Sequence, residues 1–542
     1  MRSLKVLTVC LGTVIGCSIP SSDSPPGDAA TGGSHAGTGG GAGAGGATAG
    51  TGGTAAPTTG MGGSLGGTGG AIAGTGGGAG ATSGTAGATG TAGAGGGTAG
   101  TGGTGGTRAT GGTGAAGTAG AIGTAGRGGA AGGAGTIGAG GAAAGGTTGA
   151  GGQPARENES ADCVVGTLPE AAALPKITKL PDPFVKLDGT RVATRADWHC
   201  RRQEIRKQAE KYILGAKPTP DVVTGTVTST KISVHVEAKG KAIDFSATVK
   251  LPSTGKAPYP ALINVGTTNT LGESRILDQG VAVIYYNNYD LGKEGVAEQS
   301  RGKPNTGKYY DIYGGTDPAG LLMAWAWGAS RLLDVLQTSG GGMFDTTGIG
   351  VTGCSRWGKG AFTIGVFDDR IALTIPQEPS TGGDPALRIM DKLPGAERTD
   401  YNYNGLNWLS DNFAPFVYAN NTSNAVKLPI DTHALIGVIA PRGLLVLENP
   451  FQTQMGAPAG HMATIAGLEV YRALGVEKNV NYHSAVADMA HCSYKNEYTD
   501  LLVMSIAAFL KHTGASPGQI KVGTGGSLNQ SDWIDWKAPV LP

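Results

Sequence analysis

Residues 350–360 read GVTGCSRWGKG and join a short apolar run to a stretch with helical character. Glycines on both sides of Ser355 allow a tight turn, so the serine hydroxyl would stand clear of the strand before it. A helix that begins directly after the turn would direct free backbone N–H groups towards the space above that hydroxyl. The pattern is typical of a nucleophile elbow, although the spacing is G-x-S-x-x-G and not the usual G-x-S-x-G.

The residues around this turn alternate between apolar runs and helical patterns. Apolar runs lie at 259–265, 280–286, 349–352, 371–376 and 443–447, after a polar–apolar alternation at 231–251 that favours antiparallel strands. Helical patterns occupy 196–214, 318–336, 360–367, 463–474 and 501–512, with Thr316 and Asp317 as candidate N-caps of the second helix. Short buried strands that alternate with helices predict a three-layer α/β-hydrolase fold with a mostly parallel sheet.

Composition separates the chain into two parts. It has 542 residues, 41 basic and 40 acidic side chains, and 100 glycines, which is far above the ordinary glycine content. The net charge of +1 argues against a nucleic acid partner. Much of the glycine lies in a Gly/Ala/Thr tract, so we expect residues 18–155 to be a linker and residues 156–542 to be one α/β-hydrolase domain.

The linker has almost no side chains that could form a core. From residue 28 to residue 155 its charged residues are Asp28, Arg108 and Arg127, and large apolar side chains are rare. Such a segment cannot bury enough surface to offset its conformational entropy, so it should be disordered. We expect it to hold the folded domain away from a surface, and an adhesive segment is the alternative.

Residues 1–17 have the features of an export signal. Arg2 and Lys5 precede an apolar run at 6–15 that is too short to cross a bilayer as a helix. The run ends in VIGC, which resembles a bacterial lipobox with Cys17 as the lipidated residue. An ordinary signal peptide is the alternative. In both cases we expect the protein outside the cytoplasm, either secreted or tethered to a membrane through Cys17, where disulfides persist.

Five histidines follow Ser355. Since His512 lies at the end of a predicted helix, the candidates for a general base are His433, His461, His483 and His491. In α/β-hydrolases the catalytic residues follow the chain order serine, acid, histidine. His491 lies in a loop after a predicted strand and before the last helix, and is therefore the favoured base. His433, two residues after Asp431, is more typical of a structural hydrogen bond to that aspartate.

Two acids compete to orient the imidazole. Glu378 directly follows the apolar run at 371–376 and one glutamine, and Glu448 directly follows the run at 443–447. Both therefore lie at carboxyl ends of predicted strands, the edge where sites form in open α/β sheets. Position alone does not choose between them.

Four cysteines follow the export signal, and four cysteines allow three pairings. Cys354 precedes Ser355 and Cys492 follows His491. If the serine and the histidine meet, these two cysteines come within disulfide reach. We therefore predict a Cys354–Cys492 bridge and, by exclusion, a Cys163–Cys200 bridge; buried free thiols are the alternative.

Residues 353–361 (GCSRWGKGA) and 370–378 (RIALTIPQE) form a specific motif. Shorter matches occur at 180–184, 440–444, 473–476, 491–492 and 533–536. Together they resemble the glucuronoyl esterases, carbohydrate esterase family fifteen, from residue 163 to the last residue. The resemblance implies a serine esterase that forms an acyl-enzyme and cleaves esters between (4-O-methyl)glucuronic acid of glucuronoxylan and lignin alcohols.

The resemblance also implies catalytic roles. It identifies Ser355 as the nucleophile, His491 as the base and Glu378 as the acid, with Glu448 at the alternative acid position. It further implies that Arg356 serves the oxyanion hole, because a guanidinium is a permanent donor beside a developing anion.

The residues expected to recognise the sugar match the family only in part. Lys359 resembles a contact of the family to sugar hydroxyls. The family usually has a Gln and a Glu before a Trp-Phe pair, whereas residues 395–408 contain Glu397 and no Gln, and Trp408 is followed by Leu. Glu397 and Trp408 are thus the further candidates for substrate binding. The Trp expected after Glu448 is missing, and Phe451 or Gln454 stands nearby.

The leading hypothesis is a secreted, monomeric glucuronoyl esterase that needs no cofactor and no metal, since no zinc-type spacing of His or Cys is present. An esterase for acetyl or other simple acyl groups, with a remodelled pocket, is the first alternative. A non-catalytic, surface-tethered carbohydrate-binding protein is the second. A binding protein would not need Ser355, Glu378 and His491 together, which argues against it.

Overall fold

The computed structural model describes residues 155–294 and 304–542, and their strands form one sheet in the order β1-β2-β3-β5-β4-β6-β7-β8-β9-β10. The strands are β1 Val222–Val227, β2 Lys231–Ala238, β3 Lys241–Lys250, β4 Tyr259–Val265, β5 Ala282–Tyr286, β6 Phe344–Cys354, β7 Leu373–Gln377, β8 Gly443–Leu447, β9 Val480–His483 and β10 Ile520–Lys521. The predicted export signal with Cys17, and the linker apart from its last residue, lie outside the described residues.

The strand pairing confirms a mostly parallel sheet. Antiparallel pairs join β1 to β2, β2 to β3 and β3 to β5. Every pair from β5 through β4 and β6 to β10 is parallel. The antiparallel strands predicted at 231–251 are therefore β2 and β3, whereas β1 and β10 were not predicted.

Among the α-helices of the described residues, α1 precedes the first strand and the others lie between strands along the chain. They are α1 Arg195–Ala209, α2 Glu273–Leu277, α3 Lys308–Tyr313, α4 Leu321–Ser339, α5 Arg356–Phe367, α6 Leu387–Met390, α7 Thr399–Asn404, α8 Thr432–Ile439, α9 Ala457–Ala473 and α10 Thr499–Phe509. Within this part of the chain, no helix is both long and apolar enough to cross a membrane.

Two helix starts illustrate how local hydrogen bonds set the boundaries. In α1, Thr194 and Asp197 form a capping box at the N-terminus. The predicted N-caps of α4 are wrong, because Gly320 is the N-cap. Asp317 instead accepts a hydrogen bond from the backbone N–H of Ala319, which closes a turn before the helix.

Buried apolar side chains form two separate clusters, one on each face of the sheet. Alternate residues of β4 illustrate the division, since Ile263 belongs to one cluster and Leu262 to the other. Side chains from α1, α4, α5, α8 and α9 pack in the larger cluster, and those from α2 and α10 in the smaller one. Two covered faces confirm the three-layer α/β architecture.

The carboxyl ends of three parallel strands lie level with one another. Cys354 pairs with Gln377, and Gln377 pairs with Leu447. The next residue along each strand is Ser355, Glu378 or Glu448, so this register brings all three to one edge of the sheet.

Candidate active site

Ser355 occupies a sharp turn between β6 and α5. Its backbone angles are φ 58° and ψ −127°, and its N–H donates to the Gln377 carbonyl oxygen at 2.9 Å. A positive φ at a serine costs about 1–3 kcal/mol, so the surrounding packing must hold the turn. α5 begins at Arg356, earlier than the predicted start at residue 360, so its free N–H groups begin next to the serine.

Two glycines allow this turn to close. A methyl group on Gly353 would lie 2.4 Å from the Trp357 carbonyl oxygen. A methyl group on Gly358 would lie 2.8 Å from the Gln377 carbonyl oxygen. Gly358 therefore provides the close approach between α5 and β7, one position later than in the usual elbow spacing.

His491 and Glu378 form a hydrogen-bonded pair at the same edge. Imidazole Nδ1 lies 2.7 Å from Glu378 Oε2, and the backbone N–H of Cys492 donates to the same oxygen at 3.2 Å. The Glu378 side chain is fully buried, whereas the imidazole is 31% exposed. The acid therefore fixes Nδ1 and leaves the opposite edge of the ring on the open side.

Lys495 is a buried cation beside Glu378, and no sequence motif indicated it. Its Nζ lies 3.9 Å from Glu378 Oε1, and both side chains are fully buried. The same Nζ donates to the Ala490 carbonyl and to Ser493 Oγ, so it also ties down the loop that carries His491. A lysine four residues after the histidine has no sequence signature that would have identified it.

A disulfide links the serine turn to the histidine loop. Cys354 and Cys492 are bonded with their Cα atoms 5.7 Å apart, and Cys163 and Cys200 are bonded with Cα atoms 5.3 Å apart. Both predicted pairings are confirmed. Imidazole Nε2 lies 3.5 Å from Cys492 Sγ, and among the described residues it makes no hydrogen bond to Ser355 Oγ. Such bonds are often formed only when substrate is bound.

Glu448 has different surroundings from Glu378. Both of its carboxyl oxygens are buried and, within the described residues, neither has a hydrogen-bond partner. Burial, followed by the nearby charges of Asp384 and Glu378, raises the pKa of Glu448 well above its usual range. Of the two competing acids, Glu378 is the one that contacts the imidazole.

Asp384 is a second buried acid at this edge, and no sequence motif indicated it. A methyl group on Gly460 would lie 2.7 Å from Glu448 Oε1 and 3.0 Å from Asp384 Oδ2, so both carboxyl groups reach the same point of α9. Burial raises the pKa of Asp384 to about 7.

Two cations lie over the indole of Trp408. The Arg356 guanidinium carbon is 5.8 Å from the ring centroid, and Lys359 Nζ is 4.7 Å from it. The Arg356 side chain is 43% exposed, and its Nη1 contacts Glu294 Oε1 at 2.6 Å. Trp408 itself is 3% exposed, so little of its ring is open to a ligand.

Lys359 is buried and paired, unlike an ordinary lysine on a helix surface. Its Nζ donates to the Pro379 carbonyl at 2.5 Å and lies 3.4 Å from Glu397 Oε2. That carboxylate oxygen also accepts a hydrogen bond from Ser380 Oγ at 2.8 Å. Burial lowers the pKa of Lys359, against the opposing effect of Glu397.

A groove of about 620 Å³ opens beside Glu397 and Gln454. Tyr401 and Asn404 line it, and the Tyr401 side chain is exposed. The Glu397 backbone N–H donates to the Gln454 carbonyl at 3.0 Å, which joins the two walls. Lys359 and this groove are therefore connected through one residue, Glu397.

His433 is buried away from this edge, and the hydrogen bond predicted between it and Asp431 is wrong. Its Nε2 donates to the Pro181 carbonyl at 2.7 Å, and burial lowers its pKa to about 4. Asp431 instead caps α8 through the Thr432 N–H and pairs with Arg388 at 2.8 Å.

Two groups of potential metal ligands occur in the part of the chain that the structure describes. One contains Cys354, His491 and Cys492; the other contains Asp162, Cys163 and His199. All of these cysteines are in disulfides, so they cannot supply the thiolates that a metal would bind.

Comparison with known proteins identifies the family. Residues 234–475 match the model described as "Glucuronyl esterase, fungi". A 4-O-methyl-glucuronoyl methylesterase of Hypocrea jecorina is 37% identical over 385 residues, which cover 69% of this chain and 78% of that protein. The 4-O-methyl-glucuronoyl methylesterase of Thermothelomyces thermophilus is 39% identical over 367 residues, which cover 66% of this chain and 88% of that protein.

Solved structures agree with these sequence matches. The glucuronoyl esterase catalytic domain from Hypocrea jecorina superposes with a TM-score of 0.62 at 35% identity, covering 69% of this chain and 100% of that domain. A glucuronoyl esterase mutant from Sporotrichum thermophile, in complex with methyl 4-O-methyl-β-D-glucopyranuronate, superposes with a TM-score of 0.61 at 35% identity. The match covers 70% of this chain and 100% of that one. This chain therefore belongs to the glucuronoyl esterase family and is a carboxylic-ester hydrolase with the α/β-hydrolase fold.

Proposed function

We propose that this enzyme hydrolyses esters of (4-O-methyl)glucuronic acid with a triad of Ser355, His491 and Glu378. The observation that carries the proposal is the hydrogen bond from His491 Nδ1 to buried Glu378, on a loop bonded through a disulfide to the residue before Ser355. The names of the relatives and the ester bound to one structural neighbour support the choice of substrate.

Acylation begins at the serine. His491 Nε2 removes the proton of Ser355 Oγ, which attacks the ester carbonyl carbon of the uronate. The resulting imidazolium is stabilised by the Glu378 carboxylate at Nδ1. When the tetrahedral intermediate collapses, the C–O bond to the alcohol breaks and His491 gives its proton to the leaving oxygen. An uronoyl ester on Ser355 remains.

Deacylation repeats these steps with water. His491 takes a proton from the water, whose oxygen attacks the acyl carbon, and the imidazolium then returns that proton to Ser355 Oγ. The products are the free uronate and the regenerated serine. No metal or cofactor takes part in this proposal.

The oxyanion would form beside the N-terminus of α5. The free N–H groups of that turn and the guanidinium of Arg356 are the donors available there. Removal of one such donor should lower kcat by about 10²–10³.

Recognition of the sugar is assigned to Lys359, Glu397 and Trp408. Glu397 lines the groove beside Tyr401 and can accept a hydrogen bond from a sugar hydroxyl. Buried Lys359 lies behind it, with Nζ 3.4 Å from Glu397 Oε2, and would donate to a hydroxyl that reaches this carboxylate. Because Trp408 is almost fully buried beneath two cations, we expect it to act mainly by holding them. Glucuronoxylan provides uronate esters with neutral sugars attached, which such a groove could accept.

The alcohol part of the substrate is proposed to be aromatic, as in lignin. Two large apolar side chains are exposed on loops next to the triad: Phe451 at 46% and Met489 at 61%. Asn449 joins these loops by donating to the Asp488 and Ala490 carbonyls. An aromatic alcohol would cover these side chains and release water from them.

We also propose that the enzyme acts outside the cell as a monomer, with residues 1–17 as a lipoprotein signal, residues 18–155 as the tether and residues 156–542 as the catalytic domain. Two disulfides in the described residues support an oxidising location. Mass spectrometry of the mature N-terminus tests the anchor: a diacylglycerol-modified Cys17 is expected, and an unmodified mature N-terminus would contradict it.

The decisive experiment compares the benzyl and methyl esters of glucuronic acid with an aryl acetate. We expect cleavage of both uronate esters, faster for the benzyl ester, with little activity on the acetate and none in Ser355→Ala. Cleavage of the acetate alone would retain the serine mechanism and reject the substrate. Full activity of Ser355→Ala would reject the triad.

A further inference from the structure

Arg356 is held by a buried acid that has no part in the proton transfers above. Glu294 follows β5 and a short 3-10 helix at Asn288–Asp290. Its Oε1 lies 2.6 Å from Arg356 Nη1, and its side chain is 1% exposed while that of Arg356 is 43% exposed. We propose that Glu294 is a positioning residue, which fixes the guanidinium beside Ser355 for stabilising the oxyanion. This inference rests on the proposed function.

Three features of the fold fix the position of the Arg356 guanidinium. Arg356 is the first residue of α5, so its Cα is fixed by the serine turn. The ring of Trp408 lies under the guanidinium carbon at 5.8 Å, and Glu294 holds Nη1. An arginine side chain loses conformational freedom when it is ordered, and these contacts order it before substrate arrives.

The charge of Glu294 stabilises the Arg356 cation and still leaves part of the guanidinium accessible. Partial burial disfavours the Arg356 cation, but Glu294 opposes that effect and the pKa of Arg356 is raised. Because a guanidinium has five N–H donors, the contact with Glu294 leaves others for the oxyanion. The exposed fraction of Arg356 shows that part of its side chain remains open.

The surroundings of Glu294 belong to the active site and not to a distant structural network. Burial raises the pKa of Glu294, and the groups that oppose this effect include Arg356, Trp408 and Lys359. These are the two site cations and the indole beneath them. An acid needed only for folding would not have to face this group.

The test is a double-mutant cycle on a glucuronate ester. Glu294→Gln keeps the shape of the side chain and removes its charge, and we expect kcat to fall by about 10- to 100-fold, as partial loss of an oxyanion donor. KM should change by less than about threefold, because the oxyanion exists only in the transition state. In an Arg356→Gln background, adding Glu294→Gln should reduce kcat by less than about twofold.

The matched control is Glu204→Gln, which neutralises the acid of another Arg–Glu pair. In that pair, on α1, Glu204 Oε2 lies 2.7 Å from Arg201 Nη1. It should leave kcat unchanged. Thermal unfolding of every variant checks that the protein is folded. If Glu294→Gln does not fold, Glu294→Asp is measured, and its kcat should fall because the carboxylate is withdrawn from the 2.6 Å contact.

Three results would overturn the proposal. They are an unchanged kcat in the folded Glu294 variant, a change confined to KM, and an equal loss of kcat with and without Arg356. Failure of the proposed function gives a different result, since Ser355→Ala would then retain activity whatever the Glu294 variant does.

Discussion

Glu378 and Glu448 follow neighbouring parallel strands at one level of the sheet, and both side chains are fully buried. Glu378 contacts an imidazole, a backbone N–H and a buried lysine. Glu448 faces another acid, and within the described residues its oxygens have no hydrogen-bond partner. The sheet therefore supplies two equivalent positions, and the loops that cover them decide which one can hold a negative charge.

The difference lies mainly in the loop that carries His491. This loop is tied to β6 by the Cys354–Cys492 disulfide, which brings its N–H groups and Lys495 over β7. β8, one strand further along, receives α9 instead, with Gly460 against Glu448. A charge on Glu378 is thus compensated, whereas a charge on Glu448 would be buried beside another carboxyl group.

The largest expected effect is that of Glu378→Gln. The amide has nearly the same shape but can donate to Nδ1, so the imidazole would adopt the wrong tautomer and no longer be stabilised as a cation. We expect kcat to fall by about 10³–10⁴ while KM changes little. Steady-state kinetics on a methyl glucuronate ester measure this, and a loss below tenfold would remove Glu378 from the triad.

The next effect is that of Lys495→Met, which leaves the Glu378 carboxylate without its cation. The variant also frees the Ala490 carbonyl and Ser493 Oγ, so the His491 loop should loosen. We expect kcat to fall by about tenfold or more, since loss of one partner of a buried ion pair costs about 3–5 kcal/mol that stability and catalysis share.

The control for this prediction is Lys478→Met, which removes an exposed lysine next to β9. It should leave both kcat and the melting temperature unchanged. Wild-type kinetics in Lys495→Met would mean that the backbone N–H of Cys492 is sufficient to hold Glu378.

Local sequence patterns could predict the strands of this edge but could not choose between the acids, and the expectation of Glu378 came only from the family resemblance. The elbow at Ser355 and the apolar runs before Glu378 and Glu448 are local patterns, and the structure has strands at all three places. Which acid meets His491 depends on how the His491 loop, more than a hundred residues after Glu378, folds back onto the sheet. The disulfide that holds this loop joins Cys354 to Cys492 across 138 residues. No local pattern contains that information.

Residues that act through tertiary contacts were missed for the same reason. Glu294, Asp384 and Lys495 lie in irregular segments without a motif, and only the folded chain brings them to the site. The error at His433 also has a physical cause, because a hydrogen bond across two residues was expected where Asp431 instead caps a helix and pairs with Arg388.

The comparison is sharpened by Glu448→Gln, the same substitution one strand away from Glu378. Burial and the neighbouring acids raise the pKa of Glu448 well above its usual range, so the amide replaces a carboxyl group whose ionisation is disfavoured. We expect kcat within about threefold of the wild type, against the loss of about 10³–10⁴ at Glu378. Equal losses in both variants, measured on the same ester, would show that the two acids act as one unit.

The smallest expected effect on activity, and a distinct effect on stability, belongs to Asp384→Asn. Burial raises the pKa of Asp384 from 3.8 to about 7, so the folded protein binds a proton that the unfolded chain releases. The resulting cost to stability is absent below about pH 4, grows as pH rises, and is complete above about pH 7. Asp384→Asn removes this cost, so its melting temperature relative to the wild type should rise between pH 4 and pH 8.

The control is Asp535→Asn, which replaces an exposed aspartate outside the helices, and we expect its effect on the melting temperature to vary much less with pH. A constant difference for Asp384→Asn as well would mean that its carboxyl group is solvated or paired when folded. The contrast between the ends of β7 and β8 would then no longer hold. A carboxylate that is tolerated beside Glu448 would mean that its charge is compensated there, as it is at Glu378. A rising difference, with kcat unchanged, would instead show that the α9 side of the edge disfavours negative charge, while the His491 side depends on it.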